Sequence, residues 1–167
     1  MGLISFIKEA GEKLFGKGEA KAAQEAAAQA PNPENIARLN KAAADAIVAY
    51  IDTMGLKVDG LAVEFDGATR TVTVSGQVAD QATKEKVVLC CGNVEGVAAV
   101  NDMLVVATPQ PESKIYVVVK GDTLSKISKE FYGTPNKYML IFEANKPMLT
   151  HPDKIYPGQA LRIPPAA

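Results

Sequence analysis

Apolar side chains recur at the spacing of an amphipathic helix at the start of the chain. Leu3, Ile7 and Ala10 lie three or four residues apart, which predicts a helix over residues 1–15. This short helix is nearly neutral and has no tryptophan, so we expect it to dock on the protein's own core and not on a membrane surface. Residues 16–33 are rich in alanine and low in complexity, which indicates a linker with almost nothing to bury.

Residues 34–107 contain a helical pattern, two alternating patterns, a second helical pattern and a further strand. The predicted elements are a helix from Pro33 to about Met54, a hairpin that turns at Asp66–Gly67, a helix from about Gln81 to Cys91 that Asp80 can cap, and a strand from Val97 to Val106. This order is typical of an α+β unit whose helices cover one face of a sheet.

Prolines and polar residues over 108–113 mark a linker to a second unit. Residues 114–165 are predicted to fold in the order β-α-α-β. The predicted elements are a strand over Ile115–Val119, helices that begin near Thr123 and at Thr134–Pro135, and a last strand over Ala160–Ile163. The fold class predicted for the whole chain is therefore α+β, in two small domains.

The formal net charge of −1 argues against a protein that binds nucleic acid. The charge is uneven, because residues 1–113 carry 10 basic and 15 acidic side chains, whereas residues 114–167 carry 8 basic and 4 acidic ones. Two parts of opposite charge could attract each other, or the difference could be simple compositional drift.

Residues that usually carry catalysis are few in this chain. Cys90 and Cys91 are adjacent, and neighbouring cysteines rarely form a disulfide because their Cβ vectors point apart. We expect two reduced side chains near the end of a helix. The single histidine, His151, makes a His-based metal site and a catalytic triad unexpected. The sequence therefore predicts a binding protein and not an enzyme.

Targeting signals are also missing from the pattern. No stretch of 18 apolar residues exists, so no membrane span is expected. The N-terminal segment lacks a basic region, and Lys8 and Glu9 interrupt the apolar run that a signal peptide needs. We expect a cytoplasmic, monomeric protein.

The run YVVVKGDTLSKISKEFYG from Tyr116, followed by IFEAN and IYPGQALRIP, resembles the LysM family. Its anchors also have local roles, since Gly121 supplies a tight turn and Asp122 or Thr123 can cap a helix. The central unit resembles a BON domain through VSG at the end of a strand and GNVEGV at 92–97. This combination, with the N-terminal MGL and AGEKL, resembles the cytoplasmic bacterial potassium-binding protein family over most of the chain. It departs from the family at residues 16–35 and near the tip of the hairpin.

The resemblance implies one K⁺ held by backbone carbonyl oxygens of the N-terminal segment and of the loop after the second BON helix. The motifs IKEAG and GNVEGV match the family, and they place the ligands at Ile7, Lys8, Ala10, Gly92, Val94 and Val97. We expect K⁺ to clip the N-terminal helix to this loop, so that the chain becomes ordered on binding.

The chemistry of these residues is compatible with such a site. Neutral carbonyl oxygens can replace the water shell of K⁺, whereas Ca²⁺ or Mg²⁺ would call for carboxylates. The predicted helix ends at Ala10–Gly11 and Cys91–Gly92 carry a partial negative charge. Taken without the resemblance, these glycines are better explained as helix caps. The resemblance favours the ion site.

Two other functions stay open. LysM modules commonly bind N-acetylglucosamine chains of peptidoglycan, and the groove here would be lined by Asp122, Thr123, Leu124, Pro147, Met148 and Ile155. The missing export signal speaks against a cell-wall glycan as the partner. Alternatively, the chain is an interaction scaffold whose BON domain contacts a membrane or another protein.

Overall fold

The computed structural model describes residues 2–5, 33–94 and 97–165. In chain order, these residues form β1 (Gly2–Ser5), α1 (Pro33–Thr53), β2 (Asp59–Asp66), β3 (Thr71–Asp80), α2 (Gln81–Gly92), β4 (Ala99–Thr108), β5 (Lys114–Val117), α3 (Leu124–Tyr132), a 3₁₀ turn (Pro135–Lys137), α4 (Tyr138–Ala144) and β6 (Ala160–Ile163). The mixed helix and strand content confirms the predicted α+β class.

The first domain is a mixed sheet with the strand order β1-β4-β3-β2. β2 and β3 form the predicted antiparallel hairpin, and β3 runs parallel to β4. A parallel pair needs a crossover connection, which α2 provides. The buried residues of α1, α2 and the sheet form one core, whose largest members include Ile47, Ile51, Val72, Val74 and Leu89.

The helices lie on one face of this sheet, as predicted. The two faces of β4 differ accordingly in exposure. Val100 and Leu104 are buried in the core under the helices, whereas Met103 and Val105 are 40% and 60% exposed. α1 ends where Gly55 takes a left-handed conformation with φ 70°. The amide of Leu56 then donates to the carbonyl of Ile51 at 3.4 Å, which closes the helix end.

The predicted N-terminal helix is wrong at residues 2–5, which form β1 and pair antiparallel with β4. Isolated short helices are unstable in water, because forming the first turn is costly. Pairing with β4 instead satisfies the backbone groups along an open sheet edge. The remainder of that predicted helix and most of the predicted linker, residues 6–32, lie outside the described residues.

The second domain has the predicted β-α-α-β order, with a 3₁₀ turn before α4. β5 and β6 are antiparallel, and α3 and α4 pack on them around Leu124, Ile127, Ile141 and Leu161. Thr123 caps the start of α3, because its hydroxyl accepts from the amide of Lys126 at 3.1 Å. Gly133, in the left-handed region, caps the end of this helix.

The two domains dock through β6 and α2. Ala160, in β6, is 1% exposed and belongs to the core of the first domain, against which Met148 also packs. The second domain therefore covers the helix that leads into the 92–97 loop.

Candidate ion-binding site

The loop that carries half of the predicted ligands follows α2. Asp80 caps this helix, because its carboxylate accepts from the amide of Thr83 at 2.8 Å and from its hydroxyl at 2.7 Å. The last turns of α2 are fully buried and run to Gly92. The helix thus points its negative C-terminal end into the protein interior.

Two backbone hydrogen bonds hold the described residues just after the helix. The amide of Asn93 donates to the carbonyl of Leu89 at 3.0 Å, and the amide of Val97 donates to the carbonyl of Val94 at 3.1 Å. Val94 is 2% and Val97 is 1% exposed, and Gly92 is buried as well. A carbonyl oxygen has two lone pairs, so one that accepts a hydrogen bond can also face a cation. The structure therefore places Val94 and Val97 in direct backbone contact and buries all three predicted ligands of this loop.

The register of β1 directs its C-terminal end toward the same loop. Ser5 pairs with Ala99, which is two residues beyond Val97. The predicted ligands Ile7, Lys8 and Ala10 themselves lie outside the described residues.

Asn93 holds this loop against the second domain. Its side-chain amide donates to the carbonyl of Ala160 at 3.0 Å, and its side-chain oxygen accepts from the amide of Ala160 at 2.9 Å. In the sequence, Asn93 stands out only as part of the GNVEGV motif at 92–97. No local signal could have revealed the contact, because its partner is 67 residues away.

A buried polar cluster near the start of α2 makes a second connection between the domains. Arg162 donates from Nε to Glu85 Oε1 at 2.9 Å. The backbone amide of Ser113 and the side-chain amide of Gln81 donate to Glu85 Oε2 at 2.7 and 3.1 Å. Burial opposes the ionisation of Glu85. The bonds from Ser113 and Gln81 and the charge of Arg162 outweigh it, so the pKa of the Glu85 carboxyl is lowered.

Only two of the six residues predicted for a glycan groove line a groove in the structure. Thr123 and Leu124 line an open groove of about 450 Å³ together with Ser125, Tyr138, His151, Pro152 and Asp153. The carboxylate of Asp122 is held inward, because Tyr116 Oη donates to it at 2.6 Å and the amide of Val119 at 3.0 Å.

The remaining members of that predicted groove have other neighbours. Ile155 packs against the core of the second domain, and Met148 packs against the core of the first. Pro147 is exposed. The groove that the structure forms therefore has residues 151–153 as its second wall, and the sequence pattern did not indicate them.

Other chemistry in the described ranges is limited. Cys90 and Cys91 are free and buried, and burial raises the pKa of the Cys90 thiol to about 12.

Within residues 2–5, 33–94 and 97–165, no three His, Cys, Asp or Glu side chains are grouped so that they could hold a metal ion. Among the helices of these ranges, none is both long and apolar enough to cross a membrane.

The fold and the docked arrangement define a protein with a BON domain followed by a LysM domain. The BON domain family matches residues 38–108, and the LysM domain family matches residues 116–164. The chain is 43% identical over 164 residues to the potassium binding protein Kbp of Escherichia coli O6:H1 strain CFT073. The aligned region covers 98% of this chain and 99% of that relative. It belongs to this family of potassium binding proteins.

A second relative shares one part only. An uncharacterized protein of Deinococcus radiodurans is 46% identical over 50 residues, which is 30% of this chain and 19% of that protein. Its name assigns no function.

Proposed function

We propose that this protein is a K⁺ sensor or buffer of the cytoplasm that binds one K⁺ and becomes ordered on binding. The observation that carries the proposal is the 43% identity to a potassium binding protein over 98% of the chain. The proposed ligands are the backbone carbonyl oxygens of Ile7, Lys8, Ala10, Gly92, Val94 and Val97. The protein acts by binding and not by catalysis.

The geometry of the described loop supports such a site. Gly92, Val94 and Val97 are buried, so a bound ion would lose water that only other oxygen atoms can replace. The C-terminal end of α2 supplies a partial negative charge there. The pairing of Ser5 with Ala99 keeps the N-terminal segment within reach. An ion shared by both segments therefore favours the closed, folded chain.

The size of this effect follows from linkage. An ion that binds only the folded state stabilises it by about 2.7 kcal/mol when its concentration is 100 times Kd. For a chain of this length, that corresponds to a rise in Tm of about 5 °C or more. Thermal unfolding in KCl and NaCl at matched ionic strength tests the proposal. We expect the Tm to rise much more in K⁺, and equal shifts with both ions would contradict K⁺ binding.

The position of the site needs a separate test. Carbonyl ¹³C shifts report directly on an oxygen that contacts a cation. Titration with KCl should move the carbonyl shifts of Gly92, Val94 and Val97 more than those of the buried control residues Val72 and Leu104. Shifts spread evenly over these five carbonyls would contradict the proposed ligand set.

The open groove of the LysM domain favours glycan binding as a second candidate function. Tyr138 offers an aromatic surface beside His151 and Thr123 in a groove of about 450 Å³. Titration with chitin oligomers should shift the backbone NMR signals of residues 123–125 and 151–153. Unchanged spectra at millimolar oligomer would exclude this candidate.

A further inference from the structure

Asn93 stands between two of the proposed ligands, Gly92 and Val94, and is itself a link to the LysM domain. Its backbone amide closes α2 by donating to the carbonyl of Leu89 at 3.0 Å. Asn93 is 7% exposed, and its side chain makes two hydrogen bonds to the backbone of Ala160, one donated and one accepted. The same residue therefore ends the helix and fixes the start of the loop against another domain.

The contact completes one edge of β6. The opposite edge of β6 pairs with β5. On the edge that Asn93 contacts, Asn145 of the LysM domain bonds both backbone groups of Arg162, at 2.9 and 3.0 Å. Asn93 makes the equivalent pair of bonds to Ala160, two residues earlier. One half of this edge is thus satisfied within the LysM domain and the other half by the BON domain.

Both hydrogen bonds constrain the rotation of the Asn93 side chain and hence its backbone. The Gly92 carbonyl lies in the same peptide plane as the Asn93 amide, so its direction depends directly on the Asn93 backbone. The other plane of Asn93 contains the amide of Val94, through which the path of the following loop is set. An amide held at two points by a buried, packed strand is a rigid support for ligands that do not touch that strand. Residues that orient metal ligands in this way typically change metal affinity 10–100-fold when they are replaced.

We infer that Asn93 is a positioning residue for the ion, through which the docked LysM domain holds the Gly92 carbonyl, and the start of the loop that follows it, in their binding geometry. This inference rests on the proposed function. Asn93 does not itself contact the ion in this arrangement. The LysM strand β6 instead acts as the outer support of a site that belongs to the BON domain.

The test is a calorimetric titration of full-length variants with KCl and with NaCl. Asn93→Ala should weaken K⁺ binding about tenfold and reduce the preference for K⁺ over Na⁺, because misaligned carbonyls select less well. Glu85→Gln is the matched control, since it weakens a contact of the same domain interface and leaves the Asn93–Ala160 bonds in place. It should change the Kd for K⁺ less than about twofold.

Asn93→Ser covers the case in which Asn93→Ala does not fold, because serine keeps one hydrogen-bonding group at the helix end. We expect it to weaken K⁺ binding about threefold or more. Unchanged affinity in a folded Asn93 variant would overturn the inference and leave the proposed function standing. Equal weakening by Glu85→Gln would also overturn it, in favour of a general effect of docking. A wild-type protein that binds no K⁺ would overturn both.

Discussion

Glu85 of α2 and Arg162 of β6 form a buried ion pair between the two domains, with Arg162 Nη2 2.8 Å from Glu85 Oε1. Their side chains are 8% and 9% exposed. The acidic BON part and the basic LysM part of the sequence therefore meet at a specific, hydrogen-bonded contact. Arg162 also donates to the carbonyl of Ala144 at 3.0 Å and to Ser113 Oγ at 3.2 Å, so the pair belongs to a larger network.

Replacing Arg162 should destabilise the protein strongly. Arg162→Met leaves the Glu85 carboxylate buried without its charged partner, which typically costs about 3 kcal/mol. Denaturant unfolding of the full chain measures the loss. The double variant Glu85→Leu/Arg162→Met removes both charges and should recover much of it. A single variant within about 0.5 kcal/mol of wild type would show that the pair does not hold the domains together.

The Glu85 carboxylate should also make the stability of the folded protein depend on pH in the acid range. The folded pKa of Glu85 is lowered from its ordinary value of 4.5, so its contribution to stability is present above about pH 4.5. It is lost as the pH falls through the lower, folded pKa, where the carboxyl takes up a proton. Thermal unfolding between pH 3 and 7 should therefore show a smaller acid loss for Glu85→Gln than for wild type. Parallel curves for the two proteins would contradict this assignment.

Gly76 predicts a local steric effect in β3. Its φ is 139°, and a Cβ atom there would lie 2.5 Å from Val58 Cγ1 and 2.9 Å from the carbonyl oxygen of Asp59. Gly76→Ala should cost about 2–4 kcal/mol in unfolding free energy, because a fixed backbone oxygen must move. Gly60→Ala is the control, since Gly60 also has a positive φ but nothing lies within 4 Å. It should cost about 1 kcal/mol, and equal losses would rule out the clash.

The two cysteines report on opening of the buried end of α2. Cys90 and Cys91 are each at most 1% exposed, so a thiol reagent reaches them only when the structure opens. Labelling of the native protein should be at least about 100-fold slower than in denaturant. If K⁺ closes the adjacent loop, KCl should slow labelling further than NaCl does. Native labelling at the denatured rate would contradict the burial of this helix.

Local signals predicted much of the fold. Asp80 and the apolar pattern after it predicted a helix from Gln81 to Cys91, and α2 ends one residue later. The pairing of Gly2–Ser5 with β4 was not predictable, because four residues carry little periodicity and the bonds depend on a distant strand. The Asn93–Ala160 contact was not predictable either, because its two partners are 67 residues apart in the sequence.

Binding of K⁺ is measured most directly by calorimetric titration of the full-length protein with KCl, alongside NaCl at matched ionic strength. We predict saturable binding of about one K⁺ per chain, with NaCl giving a much weaker isotherm, as expected for a site of neutral carbonyl oxygens. The absence of saturable heat with KCl, or identical isotherms with both salts, would contradict a K⁺ site in this protein.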